Sequence, residues 1–323
     1  MRRMLRRIGT ACLAFFMGHA ALAAAADPDY PSRPIRLIVP YAVGGSTDTV
    51  ARQYADLLGR VLKQTVIVEN KPGGSTNIGN KYVAEAKPDG YTLLYSTGQM
   101  TQTPSFGPFP AIDPTKSLEA ISLILTSPQM LAGNKDLKFS SPEGLIAAAK
   151  KNPKSITIAS AQLQLYVNLL NVRAGIELLS VPYKGGSPAV MDTIAGRTNL
   201  VMGQPPVLLP FIHSGALKPI GLLSKEPSDA LPGVKTFADA GVSDLELTTW
   251  NGVFAPKGTP TVVINRLSHA TKVALSDPSL ARFASEGLKI QASTPAQLSE
   301  RVAQNVLAWK KLATAYPDLA QAR

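Results

Sequence analysis

Between Ile35 and Leu62 the chain sets a strand, a glycine-rich turn and a helix in immediate succession. Ile35, Leu37, Ile38 and Val39 form a short, apolar, β-prone run. Gly44 and Gly45 break it, and from Thr47 onward Val50, Tyr54, Leu57, Leu58 and Val61 recur on one helical face. A strand feeding a helix through such a turn buries both apolar surfaces when the helix packs on a sheet, which places the chain in the α/β class. The turn also aims several backbone N–H groups at one point, and that makes an anion site. The same residues equally make a plain strand-to-helix turn capped by Ser46 or Asp48.

The alternation continues. β-Branched runs predict strands near residues 35–39, 65–68, 91–95, 156–159, 177–181, 199–202, 219–223 and 248–254, largely parallel. Amphipathic spacing predicts helices near 47–62, 142–151, 165–174, 189–195, 260–275 and 296–314. Strand, small-residue turn and helix recur at 35–62 and 156–174, once in each presumed half. Two helix N-termini facing one crevice would hold an anion from both sides.

Residues 1–26 carry Arg2, Arg3, Arg6 and Arg7, an apolar stretch and small residues at Ala21 and Ala23, the pattern of a cleaved export signal. Arg2 and Arg3 also permit a twin-arginine reading, which their flanks match poorly. No later segment approaches the roughly 20 apolar residues of a membrane span. Cys12, the one cysteine, lies within this segment, so the remainder has no thiol for disulfides, nucleophilic catalysis or metal binding. Only His213 and His269 lie beyond it, far apart, which argues against a metal centre; no cofactor is expected. The formal charge of +11 falls to about +7 without the four arginines, and its scattered lysines and arginines point to small anions instead of nucleic acid. About 297 residues remain, enough for two α/β lobes.

Other motifs are less specific. Gly73 to Lys81 imitates a phosphate loop, but Asn80 precedes the lysine and no Ser or Thr follows it, so it reads as a second glycine-rich rim. Ser96 and Thr97, at a strand end, place hydroxyls near a crevice. Pro182 to Gly186 follows another strand, which makes Tyr183 a candidate to pack on a ligand and Lys184 a candidate either to attract it or to stay solvated. Ser46 as a hydrolase nucleophile would need a histidine, a carboxylate and a nucleophile elbow, and the elbow is absent.

Taken together, the segments from Arg33 to Asp48, Val68 to Gly79, Pro88 to Leu93, Val181 to Gly185, Leu231 to Gly241 and Trp250 to Pro256 resemble the Bug-type periplasmic solute receptors of tripartite tricarboxylate transporters. The resemblance implies a two-lobed, Venus-flytrap periplasmic binding protein whose hinge is crossed twice. Lobe one would be 27–127 plus 249–323, and lobe two 128–248. It implies a monomeric receptor in the periplasm that passes a small organic acid, often a dicarboxylate, to membrane transporter subunits. One carboxylate would sit in the turn Tyr41, Val43, Gly44, Gly45 and Ser46, partly through water. A sensor role with the same pocket is the alternative reading, and a serine-type hydrolase a third.

This chain departs from the family where the second lobe's turn should carry small donors: Ser160 is kept, but Gln162, Leu163, Gln164 and Tyr166 follow. Gly203 and Gln204 stand where relatives often have Asp, which disfavours a ligand ammonium. These departures point to a carboxylate with an apolar or aromatic body among Tyr41, Leu163, Tyr166 and Tyr183, its far end at Gln162, Gln164 and Gln204.

Overall fold

The computed structural model describes residues 29–106, 111–161, 163–183, 185–242 and 245–317. The export segment, Gln162 and Lys184 therefore lie outside the described residues. The first stretch runs β1 (Ile35–Val39), α1 (Ser46–Leu62), β2 (Val66–Asn70), α2 (Asn77–Ala84), β3 (Thr92–Thr97), α3 (Gln99–Phe106), α4 (Pro114–Ser117) and β4 (Leu118–Pro128). The second runs β5 (Met130–Asn134), α5 (Pro142–Lys151), β6 (Thr157–Ala161), α6 (Gln164–Ala174), β7 (Leu179–Tyr183), α7 (Gly186–Ile194), β8 (Leu200–Gly203), α8 (Pro205–His213) and β9 (Leu217–Leu222). The last runs β10 (Thr248–Pro256), α9 (Thr261–Ala274), α10 (Ala281–Ser285), β11 (Lys289–Ile290) and α11 (Pro295–Ala315).

Two sheets result, ordered β11-β4-β10-β3-β1-β2 and β7-β6-β8-β5-β9. Each is the middle of three layers. In β1, Ile35, Leu37 and Val39 pack towards α1 and α9, while Ile38 turns to the opposite core with Val83 of α2 and Leu298 of α11. The second sheet divides likewise: Ile158 and Leu200 face α5 and α6, and Ala159 and Val201 face α7 and α8. This is the two-lobed α/β fold expected from the sequence.

The expectation of largely parallel strands is corrected. β1 pairs parallel with β2 and β3, and β6 with β7 and β8, but β10 is antiparallel to β3 and β4, β11 to β4, and β5 to β8 and β9. The cause is the traffic between lobes. β4 leaves the first sheet, Gln129 makes the crossing, and β5 enters the second; the chain returns from β9 into β10, which lies antiparallel beside β4.

One helix belongs to both cores. α11 starts with a full capping box, Thr294 Oγ1 accepting from Gln297 N–H and Gln297 Oε1 from Thr294 N–H. Its Leu298 and Val302 pack in the first lobe, whereas Leu312 and Trp309 pack in the second. Trp309 lies nearly parallel to Tyr166, with ring centroids 6.1 Å apart, and edge-on to Phe106 at 6.0 Å.

Candidate functional site

A cleft of about 390 Å³ opens between the lobes. The first lobe supplies Tyr41, Gly44 and Thr47 from the β1–α1 junction, Thr97, Gln99 and Gln102 from the β3–α3 junction, and Phe283, Glu286 and Leu288 from near the chain's end. Leu125, Gln129, Thr249 and Asn251 come from the strands and crossing between lobes, and Leu163, Tyr166, Gln204 and Pro206 from the second lobe. A larger groove of about 640 Å³ runs along α11, but it lies away from the strand ends where α/β folds bind ligands.

Four helices, α1, α3, α6 and α8, begin at this cleft. α1, α6 and α8 have N-caps at Gly45, Leu163 and Gln204, none with a side-chain cap bond, so no side chain competes for the first-turn N–H groups of α1 and α6. α8 differs, because Pro205 and Pro206 have no N–H to offer. The positive poles of α1 and α6 thus border the same cleft, one from each lobe. Among the described lining residues none is Lys, Arg or His, and the one carboxylate is Glu286.

The turn before α1 is held by a buried carboxylate. Asp48, 1 % exposed, accepts from Gly44 N–H (2.9 Å), Arg52 Nε (2.9 Å) and Asn70 Nδ2 (2.8 Å), and Asn70 also donates to the Tyr41 carbonyl. Burial pushes the Asp48 pKa up, but the bonds from Arg52, Gly44 and Asn70 outweigh it and hold the carboxyl below its ordinary value. Gly44 N–H therefore serves the turn, and Gly45 N–H makes a long 3.4 Å turn bond to Ala42 O. The open donors lie one step further on, at the first turn of α1, where Thr47 lines the cleft.

Gly44 has φ +81°, a left-handed value that penalises a side chain, whereas Gly45 is extended at φ −72°. Gly44→Ala should lower stability by about 1–2 kcal/mol, and Gly45→Ala by under about 1 kcal/mol. Urea midpoints of the two variants check the contrast.

Apart from Glu286, the walls are uncharged, and several of their polar groups are hydrogen-bonded. Tyr41 Oη lies 2.6 Å from Thr97 Oγ1; Gln102 Nε2 donates to Tyr166 Oη at 2.6 Å, and Gln204 Nε2 to Thr249 Oγ1 at 2.8 Å. Both of the latter bonds join the second lobe to the first lobe or hinge. Burial pushes the Tyr41 phenol up, and that of Tyr166 up to about 12, so both remain protonated donors.

Of the residues singled out by sequence, Tyr41, Gly44, Thr97, Leu163, Tyr166 and Gln204 lie on the cleft, with Gly45 and Ser46 at the cap and first residue of α1. Val43 is outside the lining and 72 % exposed. Ser96 is buried and donates to Asn80 Oδ1, because the side chains of β3 alternate and it faces α2. Ser160, Ser180 and Gln164 bond to one another inside the second lobe, and Gln164 Nε2 donates to Asn168. Tyr183 donates to Asp192, which Arg197 also holds. Sequence reading missed Gln99, Gln102, Gln129, Thr249, Asn251, Phe283, Glu286 and Leu288. Thr249 and Asn251 lay inside a marked strand and Gln102 shortly after one, none of them singled out; the group from Phe283 to Leu288 had no local signal.

His213 and His269 are exposed and off the cleft, and among the described residues no three metal-ligating side chains converge. No helix among them is long and apolar enough to cross a membrane.

Such a fold, with a cleft between its lobes that no described Lys, Arg or His lines, defines a two-lobed solute-binding protein. The model of the tripartite tricarboxylate transporter family receptors (TctC) matches residues 50–316. BugT of Bordetella pertussis is 34 % identical over 318 residues, 96 % of each chain. The chain belongs to the TctC receptor family. Among solved structures, the periplasmic binding protein BugD is 33 % identical with a TM-score of 0.75, over 88 % of this chain and 98 % of that one. Rpa4515 of R. palustris, solved with adipate, is 28 % identical with a TM-score of 0.77, over 90 % and 98 %. MatC of Rhodopseudomonas palustris, with bound malate, is 25 % identical with a TM-score of 0.74, over 90 % and 100 %. The family is one of transporter receptors, and BugD is a periplasmic binding protein.

Proposed function

We propose that this chain, exported to the periplasm and cleaved near residue 26, works as a monomer that captures a small organic carboxylate and delivers it to a tripartite transporter in the membrane. The observation that carries the reading is the pair of helix poles, α1 and α6, bordering one cleft from opposite lobes, with no cationic lining side chain among the described residues. An anion there is held by backbone N–H and hydroxyl donors at the helix ends. Adipate and malate, named with two neighbours, are small dicarboxylates and support this class of ligand.

Leu163, Leu165, Tyr166 and Phe283 favour an apolar or aromatic ligand body, an aromatic dicarboxylate among the candidates. Ligand that bridges both helix poles adds contacts in the closed form alone, so its differential affinity sets the closed fraction that the transporter reads.

A thermal-shift screen of ligand-stripped protein against aromatic and aliphatic mono-, di- and tricarboxylates and amino acids tests the reading. An acid at a hundredfold excess over its Kd should add about 2.7 kcal/mol and raise Tm by several degrees. An unchanged Tm across all the acids refutes carboxylate capture, and a shift confined to aliphatic acids refutes the aromatic preference.

A further inference from the structure

Gln129 makes the first crossing between the lobes, between β4 and β5. Its backbone is pinned to the returning chain: its N–H donates to Leu247 O and its carbonyl accepts from Leu223 N–H, both at 2.8 Å. Gln129 lines the cleft, is 2 % exposed, and its shielded Oε1 has no hydrogen-bond partner. Its neighbours there are already paired. Thr249 Oγ1 donates to Ser127 O and accepts from Gln204, and Asn251 Nδ2 donates to Tyr95 Oη. A buried polar atom left over in an otherwise satisfied wall calls for a partner from outside the chain.

The chemistry of that partner is constrained. With Glu286 the one charged side chain among the described lining residues, a second ionised carboxylate reaching the hinge would meet no cation. A hydroxyl donates to the amide oxygen and, with the amide turned over, accepts from its NH₂ group, so it satisfies Gln129 in either orientation. Resting on the carboxylate reading above, we propose that Gln129 is a specificity-determining ligand contact that reads a hydroxyl on the body of a small hydroxycarboxylate. The ligand's carboxylate sits at the helix poles while its hydroxyl meets the hinge. Binding then relieves the unpaired amide at the point about which the lobes move.

Calorimetric titration with 4-hydroxybenzoate against benzoate, and malate against succinate, tests this on wild type and Gln129→Leu. In wild type the hydroxylated member of at least one pair should bind about tenfold or more tightly than its partner. Gln129→Leu should bind both members alike and melt, without ligand, at or above the wild-type temperature, because an apolar group replaces an unpaired acceptor. Equal binding within each pair by wild type, a preference that survives in Gln129→Leu, or a lowered melting temperature of the unliganded variant would each overturn the assignment alone. Failure of every acid, here and in the wider screen, would instead remove the carboxylate reading beneath it.

Discussion

Asp48→Ala is expected to lower stability by about 2–3 kcal/mol and to weaken acid binding along with it. The carboxylate ties the turn (Gly44 N–H), the helix (Arg52) and the next strand (Asn70) at one buried point. Removal strands the Gly44 and Asn70 donors, although water reaches Arg52, whose side chain is 47 % exposed. Because the turn sets the approach to the α1 pole, its loosening reaches the ligand. The pH dependence has a definite sign. A carboxyl held below its ordinary value contributes stability that is complete above that value and is lost as pH falls through the lowered one. Asp48→Asn should therefore show a shallower acid limb than wild type. Denaturant midpoints measured downward from neutral pH check this, and parallel limbs would show that Asp48 does not set the acid sensitivity.

Sequence reading recovered the α/β class because its signals are local. β1 is bounded at Ile35 and Val39 and α5 at Pro142 and Lys151 by residues whose type marks the boundary. β4 was missed for a physical reason. Residues 118–127 are buried at all but one position, because layers cover both faces, so no alternation separates the run from a helix. β5, short and buried throughout, gave no better signal. Those two strands make the crossing, and their omission is why the antiparallel half of each sheet was not foreseen.

The cleft was legible in part, on both walls. Tyr41, Gly44 and Thr97 come from strand ends that the sequence marks, and Leu163 and Tyr166 from a helix start. Ser96, Ser160 and Tyr183 also lie at strand ends, but there the pleat decides which neighbour points into the crevice, and a one-residue shift exchanges core for cleft. Gln129 and Glu286 reach the site by long-range folding alone. The orphan amide of Gln129 is a property of its surroundings that no local pattern encodes.

Gly45→Val is expected to leave the fold intact and to weaken acid binding by about a hundredfold or more. Gly45 caps α1 at φ −72° and ψ 163°, an extended conformation that valine adopts readily. A Cβ there meets only the Ala42 carbonyl oxygen, at 3.5 Å, which is ordinary contact. Stability should thus change little, in contrast to Gly44→Ala. Two methyl groups between Gly44 and Thr47 would nevertheless stand before the open N–H groups of α1, which a carboxylate must approach to about 2.9 Å. Loss of two such charge-assisted bonds accounts for the factor. Melting temperature and titration of an acid identified in the screen separate the two effects: near-wild-type Tm with lost affinity places the anion at this pole. Full affinity in Gly45→Val would move the carboxylate away from α1, leaving α6 on the opposite wall to hold it.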